Sequence, residues 1–88
     1  MALNFPNQSR SYDSRKHCVR FWAHDASVEV PFFVASDALC RIEPGATVDE
    51  PGMLNAFDLN RDRICAAAGR AYGRDRRASY MLSASDIG

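Results

Sequence analysis

Residues 17–34 read HCVRFWAHDASVEVPFFV, and this stretch decides the fold. Its first part, His17 to His24, is rich in β-branched and aromatic residues, which favour extended chain. Asp25–Ala26–Ser27 then offers a tight connection. Val28 to Val34 alternates, with Val28, Val30, Phe32 and Val34 sharing one face. Together the two parts predict a β-hairpin. Pro31 cannot donate to a strand ladder, so its strand is expected at a sheet edge, or Pro31 at a bulge.

Downstream, Ser36 is expected to cap a short helix with Ala38, Leu39 and Ile42 on one side, ended by Pro44–Gly45. Asp49 can cap the next helix, and Pro51 is tolerated in its first turn because N–H groups there lack helical partners. Leu54, Phe57, Ile64, Ala68 and Ala71 follow helical spacing, interrupted by Arg61. The spacing predicts one helix reaching Tyr72, with Gly73 as a left-handed stop, roughly 35 Å long at the helical rise. Arg77 to Ser83 alternates again and predicts a third full strand. Upstream, residues 1–10 read as an extended polar lead-in holding Pro6, and Tyr12 as the start of a short strand. The order predicts an α+β fold of two layers. A small, mostly antiparallel sheet of three or four strands would pack under one short and one long helix. The 88 residues leave room for a single domain, 1–88.

Apolar residues make up 47% of the chain and charged residues 25%, which excludes a disordered, collagen-like or coiled-coil chain. No apolar run is long enough to span a bilayer, so no membrane partner is expected. The opening MALNFPNQSR lacks a basic start followed by an apolar run, so no secretory leader is expected. Cys18, Cys40 and Cys65 are odd in number and widely spaced, which reads as reduced thiols in a cytoplasmic protein. The eleven basic and eleven acidic residues cancel but are segregated. Basic residues gather in 1–24 and 61–77, and acids in 25–58. Should the long helix pack beside the first strands, the basic segments would merge into a patch able to track phosphates.

Strand alternation makes a specific statement about the surface. With Val19, Phe21, Val28, Val30, Phe32, Tyr80 and Leu82 facing the helices, the other face carries Cys18, Arg20, Trp22, Glu29, Phe33, Arg77, Ser79 and Met81. Trp22, Phe33 and Met81 would then form an apolar patch flanked by Arg20 and Arg77, the mark of an interaction surface. The alternatives are that residues 1–12 fold over this face, or that the two faces are exchanged.

Signals for chemistry are weaker. His17 and Cys18 point to opposite faces of a strand, so they do not pair as metal ligands with His24, and no metal site is expected. Cys18 and His24 lie too far apart along one strand to form a nucleophilic pair, and nothing favours Cys40 or Cys65 with a histidine. Asp58-x-Asn60-x-Asp62 echoes a calcium loop, but Arg63 and Gly69 stand where glycine and glutamate are required. Helix-surface pairing of Asp58 with Arg61 and Asp62 fits better. Gly69-x-x-x-Gly73 sits among arginines, which excludes a bilayer dimer motif. Arg76–Arg77–Ala78–Ser79 reads as a basic turn entering a strand rather than as a kinase site. Asn60–Arg61 is either a structural anchor, with Arg61 pairing an acid such as Asp86 or a backbone carbonyl, or an anion or ligand contact.

Several pieces recur in a familiar order. They are Phe5–Pro6, Tyr12, Val19-x-Phe21, the Val34–Ala35–Ser36 step with Ala38–Leu39, Ala56–Phe57, Asn60–Arg61 followed by Ile64, then Tyr80-x-Leu82 and Asp86. In this the chain resembles the bacterial family known as domain of unknown function 1488. The ending Asp86–Ile87–Gly88 departs from the pattern, which places an aromatic after the aspartate. The resemblance implies a small α+β fold in a bacterium and transfers no catalytic residue.

The residues therefore favour a non-enzymatic interaction module, a homodimer formed through the open sheet face. Trp22 and Phe33 would anchor it, with Met81 beside them and Arg20 and Arg77 at the rim. The runner-up is a nucleic-acid-binding regulator using the basic segments, with Trp22 or Tyr72 for stacking. An enzyme or small-ligand binder comes third, and no cofactor is expected.

Overall fold

The computed structural model describes residues 3–5 and 10–87. Strands β2 (Cys18–Asp25) and β3 (Val28–Ala35) form the hairpin, with Asp25 opposite Val28. The two-residue loop between them holds Ala26 at φ 57°, on the positive side that primed hairpin turns require. Strand β1 (Arg10–Asp13) pairs antiparallel on the outer side of β2. Strand β4 (Tyr80–Leu82) pairs parallel with β3, giving the order β1-β2-β3-β4. A parallel neighbour requires a crossover, and the helical segment supplies it.

That segment holds α1 (Ser36–Ile42), α2 (Glu50–Leu59) and α3 (Arg61–Arg74), with a last turn α4 (Ala84–Ile87) after β4. The α+β expectation holds, whereas the expected pair of one short and one long helix does not. The predicted long helix is broken at Asn60. The Asn60 amide nitrogen Nδ2 donates to the Ala56 carbonyl at 2.9 Å, the acceptor its own backbone N–H would use in a continuous helix. The backbone N–H bonds Phe57 instead, at 3.1 Å. Asparagine competes with the helix ladder in this way because its short amide reaches nearby backbone groups.

Other boundaries shift for equally local reasons. Asp49 caps α2 as expected, its Oδ1 accepting from the Gly52 N–H at 2.8 Å. Ser36 is not the cap of α1: Ala35 holds that place and makes no side-chain bond. The Ser36 N–H donates to the His17 carbonyl at 2.8 Å, so the neighbouring strand entry provides the acceptor. Gly73 lies inside α3, which runs on to Arg74 and is capped at Asp75. The last strand begins at Tyr80 rather than Arg77, because the Tyr80 hydroxyl donates to the Asp75 carbonyl and accepts from the Arg77 N–H. Those two bonds wrap residues 75–79 into a loop around the ring. Pro31 sits in an inner strand, one residue ahead of the β3–β4 ladder, where its missing donor leaves no gap in that ladder.

The core lies between one sheet face and the helices. Val19, Phe21, Ala23, Val30, Phe32, Val34, Tyr80 and Leu82 meet Leu39, Met53, Ala56, Phe57, Ile64, Ala67 and Ala68 there. Leu3, Phe5 and Tyr12 pack against the same cluster. Of the residues expected on this face, Val28 is 61% exposed because it sits at the hairpin turn. Cys18, expected on the opposite face, is fully buried at the sheet end between Asp13 and Ala35.

Two glycines give the same substitution opposite signs. A methyl at Gly52 would run into the Thr47 hydroxyl and carbonyl oxygens, whereas one at Gly69 would meet nothing within 4 Å. Gly52→Ala should cost about 1–3 kcal/mol, as overpacking does. Gly69→Ala should add up to about 1 kcal/mol, the helix preference for alanine. Denaturant titration of both variants checks this, and a Gly52→Ala protein as stable as the parent would contradict the packing at Thr47.

Candidate functional site

The outward face of the sheet is where alternation places side chains the helices do not use. The registers align Ser11, Arg20, Phe33 and Met81 in one row across all four strands. The next row is Trp22 opposite Pro31, and the next His24 opposite Glu29. Among the described residues, the helices pack on the other face, and Leu3 and Phe5 join the core rather than crossing this one. Asn4 instead pairs with His24 at the sheet edge, its N–H donating to the His24 carbonyl at 2.8 Å. The Pro6 portion of the lead-in lies outside the described residues.

The expected patch is therefore assembled for four of its five members. The Arg20 guanidinium lies 4.9 Å from the Trp22 ring and 5.9 Å from the Phe33 ring. The Lys16 ammonium lies 5.9 Å from the Phe33 ring as well. A cation over an aromatic face is held by the ring's negative quadrupole, so both cations half-cover the rings while staying wet. Met81 is 58% exposed beside them. Arg77 precedes β4, and its guanidinium donates to Asp75 at 2.8 Å, so strand alternation does not set its position. Lys16 was not legible in advance, because it comes from the turn before β2, where no periodicity applies. The far end of the face carries one acid, Glu29, whose carboxylate lies 4.0 Å from His24 Nε2.

A second arrangement forms where α2 gives way to α3. Arg10 on β1 donates from Nε and Nη2 to the two oxygens of Asp58, at 2.9 and 2.7 Å. Arg61 donates to Asp58 at 3.2 Å, and its guanidinium lies 4.9 Å from the Phe57 ring. The acid that pairs with Arg61 is Asp58 rather than the expected Asp86. Asp86 instead closes a reciprocal cap with Ser83 and lies 3.6 Å from Arg74. Asn60 is buried, donating to Glu43 at 3.0 Å and accepting from Arg63 at 3.1 Å. Arg10, Asp58, Leu59, Asn60, Arg61, Asp62 and Arg63 line an open concavity of about 770 Å³. The hydrogen bonds from Arg10, then those from Arg61, hold the Asp58 carboxyl below its ordinary pKa. Arg10 and Arg63 escaped the sequence reading, since Arg10 stands 48 residues from its partner.

The thiols are quiet. Burial pushes Cys18 and Cys65 above the ordinary thiol pKa, away from the nucleophilic thiolate. Among the described residues, no three His, Cys, Asp or Glu side chains converge on one point that would hold a metal ion. No described helix is long and apolar enough to cross a membrane.

A small α+β protein whose described helices cover one face of a four-stranded sheet is the class these features define. The profile of the family described as protein of unknown function (DUF1488) matches residues 3–83, and the chain belongs to that family. No curated protein and no solved structure matches it.

The Asp58 bonds carry a pH signature. A carboxyl whose pKa is lower folded than unfolded contributes stability above the unfolded value near 4 and loses it as pH falls through the folded value. The Arg10–Asp58 pair is partly exposed, so screening keeps its contribution below about 1 kcal/mol. Asp58→Asn should be less stable than the parent at pH 7, with the difference closing toward about pH 2. Paired denaturation curves across that range check it, and a pH-independent difference would show that the charge of Asp58 is not involved.

Proposed function

We propose that this chain is a non-enzymatic interaction module that self-associates through its open sheet face, in the cytoplasm, where its three free thiols stay reduced. The observation that carries the reading is the row Arg20–Phe33–Met81 with Trp22 beside it, on a face that no described helix covers. Trp, Phe, Met and Arg are residue types enriched at interface cores. Lys16 and Arg20 at one end and Glu29 at the other make the face self-complementary in charge. A two-fold axis across the strands through the Trp22–Pro31 row would set the Arg20 row of one protomer over the Glu29 row of its partner. The face also limits the affinity. Strands β2 and β3 have eight residues each, but β1 has four and β4 three, so at about 3.3 Å per residue and about 4.8 Å between strands the face offers roughly 350 Å² per protomer, below the size of a stable specific interface. The dimer should therefore be transient.

The nucleic-acid alternative draws less support. Four arginines at the end of the basic 61–77 segment are engaged within the fold: Arg70 donates to the Asp86 carbonyl, Arg74 neighbours Asp86, Arg76 neighbours Asp25, and Arg77 holds Asp75.

Light scattering after size exclusion, over a dilution series, tests the proposal. The parent chain should shift from dimer toward monomer on dilution. Trp22→Ala should weaken association at least about 30-fold, the loss of one aromatic anchor, while circular dichroism and melting stay near those of the parent. Met81→Lys should weaken it without touching the core. A parent chain that stays monomeric at every concentration would end the self-association reading. Loss of fold in Trp22→Ala would put that ring in a structural role and leave Met81→Lys to decide.

A further inference from the structure

The concavity between β1 and the α2–α3 junction gathers three guanidiniums that the dimer reading does not use. We infer that Arg10, Arg61 and Arg63 form a binding site for a small phosphorylated molecule. The argument rests on how the cations are held. Asp58 orients two of them at once, with Oδ1 taking bonds from Arg10 and Arg61 and Oδ2 taking a second bond from Arg10. Arg61 is further steadied over the Phe57 ring. Asn60 orients the third, and Asn60 is itself fixed by Glu43 and the Ala56 carbonyl.

Arg10 uses Nε and Nη2 on Asp58, and Arg63 uses Nη1 on Asn60, so these two guanidiniums keep further N–H donors for a ligand. Cations fixed in advance lose little side-chain freedom on binding, which is what preorganisation contributes. Planar guanidiniums match phosphate oxygens in forked pairs. The two acids do not cancel the site. Asp58 and Asp62 are set against Arg10, Arg61 and Arg63, which leaves three positive groups against two negative ones among the described residues that line the concavity. At about 770 Å³ the space exceeds a bare phosphate, and Leu59, 64% exposed, offers an apolar contact for the rest of the ligand. The chemistry recognised is a phosphate group, and the gathering of the three guanidiniums into one concavity, rather than along a track, favours a small molecule over a polymer.

The test is a titration of the full, isotope-labelled chain with sodium pyrophosphate against sodium chloride at equal ionic strength, followed by backbone amide shifts. Saturable shifts should centre on Asp58 to Arg63. Arg63→Gln and Arg10→Gln should each weaken binding about tenfold, the loss of one charge-assisted contact. Arg77→Gln, which lies outside the concavity, should bind as the parent does. Among the described residues the Arg63 side chain hydrogen-bonds Asn60 alone, so Arg63→Gln should keep the parent melting temperature and decides the matter should Arg10→Gln unfold. Absence of saturable shifts, or unchanged binding in Arg63→Gln, would overturn the inference. A parallel titration with a mixed single-stranded oligonucleotide separates the sources. Binding of the oligonucleotide at these residues without competition from pyrophosphate would assign the site to a nucleic-acid backbone and overturn the small-molecule reading.

Discussion

Phe21, Phe32 and Tyr80 occupy one register row across three strands, with ring centroids 5.4 and 5.0 Å apart, and the rest of the molecule is arranged around them. Phe57 reaches this row from α2 at 5.0 Å, Tyr72 from α3 at 6.1 Å, and Phe5 from the amino-terminal side at 6.3 Å. Helices α2 and α3 are thereby tied to different points of one aromatic line. Loss of a buried phenylalanine costs about 3–5 kcal/mol, against a total stability of about 5–15 kcal/mol for a typical domain.

The same row dictates the outer surface. A strand that slipped by one residue would send its aromatics to solvent, so the register is strongly held. One position away on each strand lie Arg20, Phe33 and Met81, which must then share a row on the opposite face. Packing on the inside thus decides which side chains are presented outside. Arg20 and Lys16 lean over Phe33 and Trp22, reducing the apolar area that the face exposes alone.

The break at Asn60 has consequences of a different kind. It lets α2 pack on β1 and β2 while α3 packs on β4. It also turns the junction into a place where Arg61 and Arg63 meet Arg10 from the far edge of the sheet. The remaining arginines of α3, and Arg76 just beyond its end, serve as ties. Arg76 lies 4.2 Å from the Tyr72 ring while Tyr72 donates to Asp25, which joins the end of α3 to the hairpin turn. Arg70 and Arg74 both hold the Asp86 turn. A chain of zero formal net charge therefore divides its cations between fastening and display.

Much of this was legible in residues 17–34 alone. Alternation of Val19, Phe21, Val30 and Phe32 named the hairpin, the buried face and its opposite, because strand periodicity is local and survives any arrangement of neighbours. The Asp49 cap and the helical stripe through Phe57 and Ile64 were local in the same sense. The stripe did not reveal the break, since Asn60 departs from the helix by spending its amide on Ala56 and on Glu43, 17 residues away. Tyr80 shortened its own strand through bonds to a loop that no pattern describes. The arginine concavity was beyond reach for the plainest reason: Arg10 and Asp58 lie 48 residues apart and meet only after the sheet and helices have packed. Periodicity belongs to the chain, whereas convergence of charged side chains belongs to the folded surface.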